Sequence, residues 1–310
     1  MFFFRKLKPT STKRVEPIDP ANVVRRARRL RYQIRPQAVV ALSGAYLGAR
    51  PGTGLTFAEL RAYEPGDDVR HLDWNVTARL GRPFVRRYIE ERSLNLWIIV
   101  DVSASLRFGP DGRQKADRAA QSAALLAAAA IQNGDLVGLL LVSDRIEAEL
   151  PPGGGTRHLA RLLRMLVATP ASSRKTDVGV ALTRVGRIKR RGLIVVVGDF
   201  LTLDPPAAWR RARRRHDVFA VRVTDPREEI LPDAGLIRIE DPESGRRRVV
   251  NSHSRRVRAR YRREADDRNE RFLSWSREAG VRSVEVSTDE DPIQSLLRLF
   301  HGRTRSRGAR

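Results

Sequence analysis

The stretch LNLWIIVDVSASL, residues 94–106, decides the fold because it joins a buried strand to three short oxygen-bearing side chains. Its first part is a continuous apolar run of the kind found in parallel sheets, whose strands are covered on both faces. The run ends at Asp101, and Ser103 and Ser105 follow at alternate positions. The segment GLIVVVGDF, residues 192–200, repeats this design and reaches Asp199. We therefore expect two buried parallel strands that each lead into an aspartate.

The segments around these two strands alternate between helix and strand patterns. Helices are predicted at residues 115–133, 156–169, 176–191 and 204–216, and further strands at residues 135–144 and 217–223. Residues 145–152 are expected to return beside residues 135–144 as the edge strand of a hairpin. This order predicts an α/β fold with a Rossmann-like, doubly wound parallel sheet.

Shifts in composition divide the chain into four predicted segments. Residues 1–43 form a basic N-terminal extension with a short helix near residues 20–30, and residues 44–93 form a small β-rich segment with many turn signals. Residues 94–225 form the α/β domain. Residues 226–310 form a C-terminal extension of hairpin, helix, strand and helix that packs on the same sheet and adds one βα unit.

The composition excludes several classes of protein. The chain has 310 residues, of which 41% are hydrophobic, and this is enough to bury a core. It contains no cysteine, which excludes disulfides, thiolate metal sites and cysteine nucleophiles. No apolar run has the length of a membrane span, and the start MFFFRKLKP is too short for a signal-peptide core. We expect a cytoplasmic protein.

The formal net charge of +24 raises the possibility of nucleic-acid binding. Only six of the 60 basic residues are lysine, and the arginines are spread along the whole chain. Clusters occur at residues 23–31, 209–216 and 254–263. Each cluster also fits the solvated face of a helix, and no RNA-recognition or zinc-finger motif accompanies them. Nucleic-acid binding through the arginine clusters is therefore the alternative function.

The polar residues expected at the carboxyl edge of the sheet carry oxygen ligands only. We call this set the oxygen cluster: Asp101, Ser103, Ser105, Thr176 and Asp199. Carboxylates and hydroxyls suit hard cations, with Mg²⁺ preferred and Mn²⁺ or Ca²⁺ as alternatives. Thr156 competes with Thr176 for the threonine position, and Thr176 is preferred because a helix start follows it. The competing structural interpretation is a strand-end cap in which the serines satisfy backbone donors.

The order of these residues resembles the metal-ion-dependent adhesion site of von Willebrand factor A domains. That resemblance implies direct coordination by Ser103, Ser105 and Thr176, contacts through water from Asp101 and Asp199, and completion of the shell by a carboxylate of a partner protein. Two positions depart from the common pattern, because Phe200 follows Asp199 where glycine is usual and Leu106 follows Ser105 where methionine is usual. Neither departure removes a ligand.

A second resemblance lies upstream, in FAELRAYEPGDDVRHLDWNVTARLGRPFVRRYIEER, residues 57–92. It looks like the signature of the domain of unknown function 58 family, whose members are bacterial and archaeal. We call the matching residues the signature set: Arg61, Tyr63, Gly66, Asp67, Asp68, Arg70, Asp73, Trp74 and Arg79. The resemblance implies association with MoxR-type AAA+ ATPases in protein maturation or regulation.

The signature set has a structural and a functional interpretation. In the structural one, the residues around Gly66 form a turn, and Asp73 pairs with Arg70 or Arg79 to hold Trp74 against the sheet. In the functional one, these residues contact a partner directly. The first interpretation is favoured on residue chemistry.

Sequence motifs of common enzymes are absent. The chain has no G-x-S-x-G elbow, no phosphate-binding G-x-x-x-x-G-K-[ST] loop and no H-E-x-x-H pair. We therefore expect no enzyme activity and predict a metal-dependent protein–protein interaction module with an acidic partner.

Overall fold

The computed structural model describes residues 55–65, 67–90, 94–109, 114–168, 173, 175–240 and 246–301. These residues fall into two compact units, one within Ser43–Ser93 and one from Leu94 onward. The predicted N-terminal extension, including the helix near residues 20–30 and the first arginine cluster, lies outside the described residues.

The smaller unit contains an antiparallel pair of strands. β1 (Leu55–Ala62) pairs with β2 (Phe84–Glu90), and a 3-10 turn (Val69–His71) and helix α1 (Trp74–Leu80) lie between them. The side chain of Asp73 begins α1 by accepting hydrogen bonds from the backbone N–H groups of Asn75 and Val76. The expected packing of Trp74 against the sheet is wrong, because its side chain is 70% exposed. As the first residue of a short helix capped by its neighbour, Trp74 is directed to solvent.

The larger unit contains the remaining elements. Its strands are β3 (Asn95–Asp101), β4 (Leu136–Val142), β5 (Ile146–Gly153), β6 (Leu193–Gly198), β7 (Asp217–Thr224), β8 (Leu236–Glu240), β9 (Arg247–Asn251) and β10 (Arg282–Ser287). Its helices are α2 (Lys115–Gln132), α3 (Gly155–Ala168), α4 (Val178–Gly186), α5 (Pro206–Arg213), α6 (Arg255–Ala279) and α7 (Pro292–His301).

Six of these strands form one mostly parallel sheet in the order β10-β7-β6-β3-β4-β5. The pairs β3–β4, β3–β6, β6–β7 and β7–β10 are parallel. β5 pairs antiparallel with β4, which confirms the hairpin edge predicted for residues 145–152. The architecture is a mixed α/β fold of the Rossmann-like kind.

Helices cover both faces of the sheet, which explains the continuous apolar character of its central strands. Every residue of β3 is buried, and Ile98 and Ile99 are fully inaccessible. One face packs against α2, α3 and α7, and the other packs against α4, α5 and α6. The buried, alanine-rich part of α2, residues 123–130, contains six alanines and two leucines, and its alanines allow close approach to the sheet because they add little side-chain volume.

The C-terminal extension adds one strand and one helix to the main α/β unit. β10 joins the edge of the main sheet, and α7 packs on one of its faces. β8 and β9 pair with each other in a separate two-stranded sheet, so this hairpin adds no strand to the main one within the described residues. In the same part of the chain, no helix combines the length and apolar character needed to cross a bilayer.

Candidate metal centre

Two neighbouring parallel strands position the oxygen cluster. β3 and β6 pair in register, with Val100 opposite Val197, so both end at the same edge of the sheet. Asp101 is the last residue of β3, and Asp199 directly follows β6. β4 lies on one side of β3, whereas β6, β7 and β10 lie on the other. Such a reversal of strand order marks the place where ligands bind in open α/β sheets.

The turn after β3 brings three members of the oxygen cluster together. The backbone N–H of Ser103 donates to Asp101 Oδ1 at 2.8 Å, and the Oγ atoms of Ser103 and Ser105 lie 3.0 Å apart. Ser105 belongs to a short 3-10 turn, Ala104–Arg107, which carries its hydroxyl back toward the strand end. Asp101, Ser103 and Ser105 are each at most 2% exposed. Three oxygen-bearing side chains therefore meet in a buried place.

The serine hydroxyls connect the two aspartates. Hydrogen bonding by the Ser103 hydroxyl acts to lower the pKa of Asp101, and hydrogen bonding by the Ser105 hydroxyl acts to lower the pKa of Asp199. Asp199 is itself only 4% exposed, and its Oδ1 accepts from the backbone N–H of Leu201 at 3.3 Å. Four of the five predicted residues thus form one hydrogen-bonded group across β3 and β6.

The fifth residue, Thr176, lies at the rim of this group. Its Oγ1 is 3.5 Å from Asp101 Oδ2, a loose contact, and its side chain is half-buried. The alternative Thr156 is exposed in the first turn of α3. Because β5 is antiparallel and ends at Gly153 opposite Val137, α3 starts at the other edge of the sheet. Thr176 is therefore the threonine that the fold brings to Asp101.

The turn after β6 accommodates Phe200 where glycine was expected. Phe200 has a φ of 54°, the left-handed conformation that usually favours glycine. Its ring centroid lies 5.2 Å from that of Phe272 and 5.7 Å from that of Trp275, so aromatic packing stabilises the turn. At Gly198, an added Cβ would lie 3.0 Å from the Cβ of Asp101, so glycine permits the close approach of the two strand ends.

Lys115 is a member of the site that sequence reasoning missed. Its Nζ lies 2.8 Å from Asp199 Oδ2 and 2.8 Å from Glu228 Oε1, and its side chain is fully buried. It occupies the first turn of α2, shortly after the Ser103–Ser105 turn. The available signal was its residue type, since lysine is rare in this arginine-rich chain and stands here at the start of a buried helix.

The pKa values of the two aspartates are consequently shifted in opposite directions. Burial, together with the charge of Asp199, raises the pKa of Asp101 to about 7, although hydrogen bonds from Ser103 oppose this shift. Burial also acts to raise the pKa of Asp199, but the charge and hydrogen bond of Lys115 outweigh it and hold that pKa below its ordinary value. The pKa of Lys115 is raised, because Asp199 and Glu228 outweigh its burial. Among the described residues, no cation forms an ion pair with Asp101, and the charge of Lys115 lowers its pKa only as a minor cause.

The geometry of the oxygen cluster fits a small divalent cation. Two neighbouring ligands of octahedral Mg²⁺, each at about 2.1 Å, are about 3.0 Å apart, and those of seven-coordinate Ca²⁺ at about 2.4 Å are about 2.8 Å apart or more. The observed Ser103–Ser105 separation of 3.0 Å is that of a hydrogen bond between two hydroxyls, and it also suits two neighbouring ligands of either ion. No group of three or more His, Cys, Asp or Glu side chains suited to a metal occurs among the described residues. Coordination at the oxygen cluster would therefore depend on hydroxyls.

The signature set lies in the smaller unit and forms its own polar contacts. The Arg61 side chain pairs with Asp67, and the backbone N–H of Tyr63 donates to Pro83 O at 2.9 Å. Asp68 accepts a hydrogen bond from the backbone N–H of Arg70. Asp73 and Trp74 begin α1, and Arg79 lies exposed in its last turn. Gly66 lies outside the described residues.

Solved structures match the chain only at low similarity. The conserved hypothetical protein BatB from Bacteroides thetaiotaomicron is 15% identical, with a TM-score of 0.45, and the match covers 67% of this chain and 97% of that one. An aerotolerance-related membrane protein from Bacteroides fragilis is 15% identical, with a TM-score of 0.42 and coverage of 67% and 96%. We base no functional inference on these two matches.

Sequence relatives are much closer. Uncharacterized proteins of Mycobacterium bovis and Mycobacterium tuberculosis are each 34% identical over 297 residues, which cover 93% of this chain and 92% of theirs. Residues 59–271 match the family described as "Protein of unknown function DUF58", and this range includes the signature set and the oxygen cluster. The chain therefore belongs to the DUF58 family.

Proposed function

We propose that the oxygen cluster is a metal-ion-dependent docking site of the von Willebrand factor A type. The observation that carries this proposal is the 3.0 Å pair of buried serine hydroxyls beside a buried aspartate, Asp101, which forms no ion pair with any residue in the described part of the chain. Ser103, Ser105 and Thr176 would hold Mg²⁺ directly, and Asp101 and Asp199 would hold it through water. Mn²⁺ and Ca²⁺ are the alternative ions.

The proposed role is binding of an acidic protein side chain. A bound divalent cation would supply a Lewis acid with one coordination position left for a carboxylate. The chain itself shapes the turn through the hydrogen bond from the Ser103 backbone N–H to Asp101, and it buries the side chains of Asp101, Ser103, Ser105 and Asp199. The oxygen cluster contains no imidazole or thiol, and docking is the role we propose for it.

The partner proposed for this site is a MoxR-type AAA+ ATPase or one of its client proteins. The proposal rests on the signature set and on membership of the DUF58 family. In that role, the protein would assist the maturation or regulation of other proteins, with the ion joining two surfaces that both carry carboxylates.

Nucleic-acid binding through arginine clusters is not favoured by the described contacts. In the second and third clusters, Arg210 pairs with Glu278, Arg260 with Glu264, and Arg262 with Asp266 and Glu229. These arginines thus interact with carboxylates of the same chain, as expected for solvated helix faces.

Calorimetric titration with Mg²⁺ tests the ion site directly. The wild-type protein should bind one ion, and both Asp101→Ala and the double variant Ser103→Ala/Ser105→Ala should lose this binding. Thr156→Ala is the matched control, because this exposed hydroxyl lies at the other edge of the sheet. Unchanged affinity in the serine double variant would contradict the ligand assignment.

A pull-down with a purified MoxR-type ATPase tests the partner. Capture by the wild-type protein should require Mg²⁺, and it should be lost in EDTA and in Asp101→Ala. Capture that survives both treatments would show that the contact lies elsewhere. Salt-sensitive binding of duplex DNA that Asp101→Ala leaves unchanged would instead support the nucleic-acid alternative.

A further inference from the structure

We propose that Lys115 is a resident cation of the docking site that makes tight binding of the divalent ion depend on an acidic ligand. The inference rests on the proposed function and adds a specificity-determining residue to it. Because the ammonium group partly neutralises Asp199, a bound ion would receive less negative charge from that carboxylate. A carboxylate from the partner would then supply the missing negative charge.

The position of the Lys115 ammonium is fixed from several sides. Its Nζ contacts Asp199 Oδ2 and Glu228 Oε1, both at 2.8 Å, within a fully buried environment. Its backbone N–H donates to Phe108 O at 3.0 Å, which anchors the start of α2. Moving the side chain away would leave buried charges without partners, at a cost of several kcal/mol. The ammonium group is therefore a permanent part of the site.

Glu228 is held on the opposite side of this ammonium group. Its backbone carbonyl accepts from Arg268 NH2 at 2.9 Å, and its backbone N–H donates to Asp225 O at 2.9 Å. These contacts fix the turn Pro226–Glu228 between β7 and α6. Glu228 thus contacts Lys115, which in turn contacts Asp199 of the oxygen cluster. The ammonium group therefore lies between the carboxylates of Asp199 and Glu228.

The charges of the ligands explain the expected behaviour. Three members of the oxygen cluster are neutral hydroxyls, and Asp101 supplies one negative charge when it is ionised. The charge of Asp199 is partly offset by Lys115 at 2.8 Å, although Glu228 shares this ammonium group at the same distance. Affinity for divalent cations increases with the number of charged ligands, so this set alone should bind weakly. An acidic ligand restores the balance, which favours joint binding of ion and carboxylate over binding of either alone.

The choice of lysine over arginine fits this role. An ammonium group is compact and carries three donors, two of which are used by Asp199 and Glu228. Its short reach places one full positive charge beside the carboxylate of Asp199. The planar guanidinium of arginine would need more room in a position that is fully buried.

The test measures Mg²⁺ affinity by calorimetry with and without acetate as the acidic ligand. In the wild-type protein, saturating acetate should increase Mg²⁺ affinity about tenfold or more, because it neutralises a partly buried charge. The double variant Lys115→Met/Glu228→Gln removes one charge of each sign and frees the Asp199 carboxylate. It should bind Mg²⁺ about tenfold more tightly without acetate and respond to acetate less than the wild-type protein.

The matched control is Arg184→Met/Glu149→Gln. It removes an ion pair of the same 2.8 Å length, but this pair is far more exposed to solvent. It should behave as the wild-type protein does. Circular dichroism checks that the double variant folds. The acetate dependence of Mg²⁺ affinity in the wild-type protein tests the proposal without any variant.

The outcomes separate the two proposals. Mg²⁺ binding by the wild-type protein that is indifferent to acetate, or a folded double variant with unchanged Mg²⁺ affinity, would overturn the role of Lys115 and leave the ion site standing. Absence of Mg²⁺ binding by the wild-type protein with and without acetate would overturn the docking site itself, and the role of Lys115 with it.

Discussion

The ends of β3 and β6 look alike in sequence but differ in charge environment. Both strands are apolar, both are buried, and both lead into an aspartate at the same edge of the sheet. Asp199 is paired with the ammonium of Lys115 at 2.8 Å. Asp101 is contacted by a backbone N–H and by hydroxyls, and no ion pair to it occurs within the described ranges.

This difference shows how equivalent positions in a sheet acquire separate roles. Burial acts to raise the pKa of both aspartates, and only Asp199 receives enough compensation from a cation to reverse that effect. Asp199 therefore contributes to the stability of the folded chain. Asp101 instead carries an electrostatic cost that an added cation would relieve, as expected of a binding residue.

Replacement of Lys115 should give the largest effect on stability. Lys115→Met leaves Asp199 and Glu228 without their cation, and we expect a loss of about 3–5 kcal/mol in the free energy of unfolding. Urea denaturation measures this loss. Arg184→Met, which breaks a half-exposed pair with Glu149, should cost less than about 1 kcal/mol. Equal losses in both variants would mean that the two strand ends do not differ as described.

The pH dependence of stability should isolate Asp101. Its pKa is about 7 in the folded chain and 3.8 ordinarily, so between these values the folded state binds a proton that the unfolded state has released. In metal-free protein, stability should fall by about 3 kcal/mol from pH 4 to pH 7 relative to Asp101→Asn. Denaturation of both proteins across this range gives the difference. Saturating Mg²⁺ should reduce this dependence of stability on pH. A rise in stability with pH would contradict the raised pKa of Asp101.

Asp199→Asn should have a smaller effect, with the opposite dependence on pH. Lys115 retains Glu228, so we expect a cost of about 2 kcal/mol at pH 7 from the lost charge-assisted hydrogen bond. Because the pKa of Asp199 is lowered, its contribution is present above the ordinary value of 3.8 and is lost as the pH falls through the folded pKa. Unfolding curves at pH 7 and in acid distinguish this sign from that of Asp101.

Thr176→Val should have the smallest effect on stability. Its hydroxyl lies 3.5 Å from Asp101 Oδ2, and we expect a change within about 0.5 kcal/mol in metal-free protein. The same substitution should weaken Mg²⁺ binding, since Thr176 is a proposed direct ligand. A large loss of stability without metal would instead indicate that Thr176 caps the strand end.

Much of the fold could be predicted from local pattern. The apolar runs that contain β3 and β6 indicate strands buried on both faces, and alternation with helices implies a parallel sheet. The position of Asp101, Ser103 and Ser105 follows from the same logic, because strand ends meet at one edge. Packing of Trp74 could not be predicted, since its exposure depends on how the short helix α1 leaves the turn before it.

The sequence by itself determined the class of the fold and the oxygen chemistry of its carboxyl edge, because both follow from periodicity and from short-range spacing. Only the tertiary structure decided which threonine lies beside Asp101, since that choice depends on the antiparallel direction of β5. The tertiary structure also decided which charges are paired at the carboxyl edge of the sheet. Lys115, Asp199 and Glu228 are far apart along the chain, and their ion pairs form only when α2, β6 and the turn after β7 pack together.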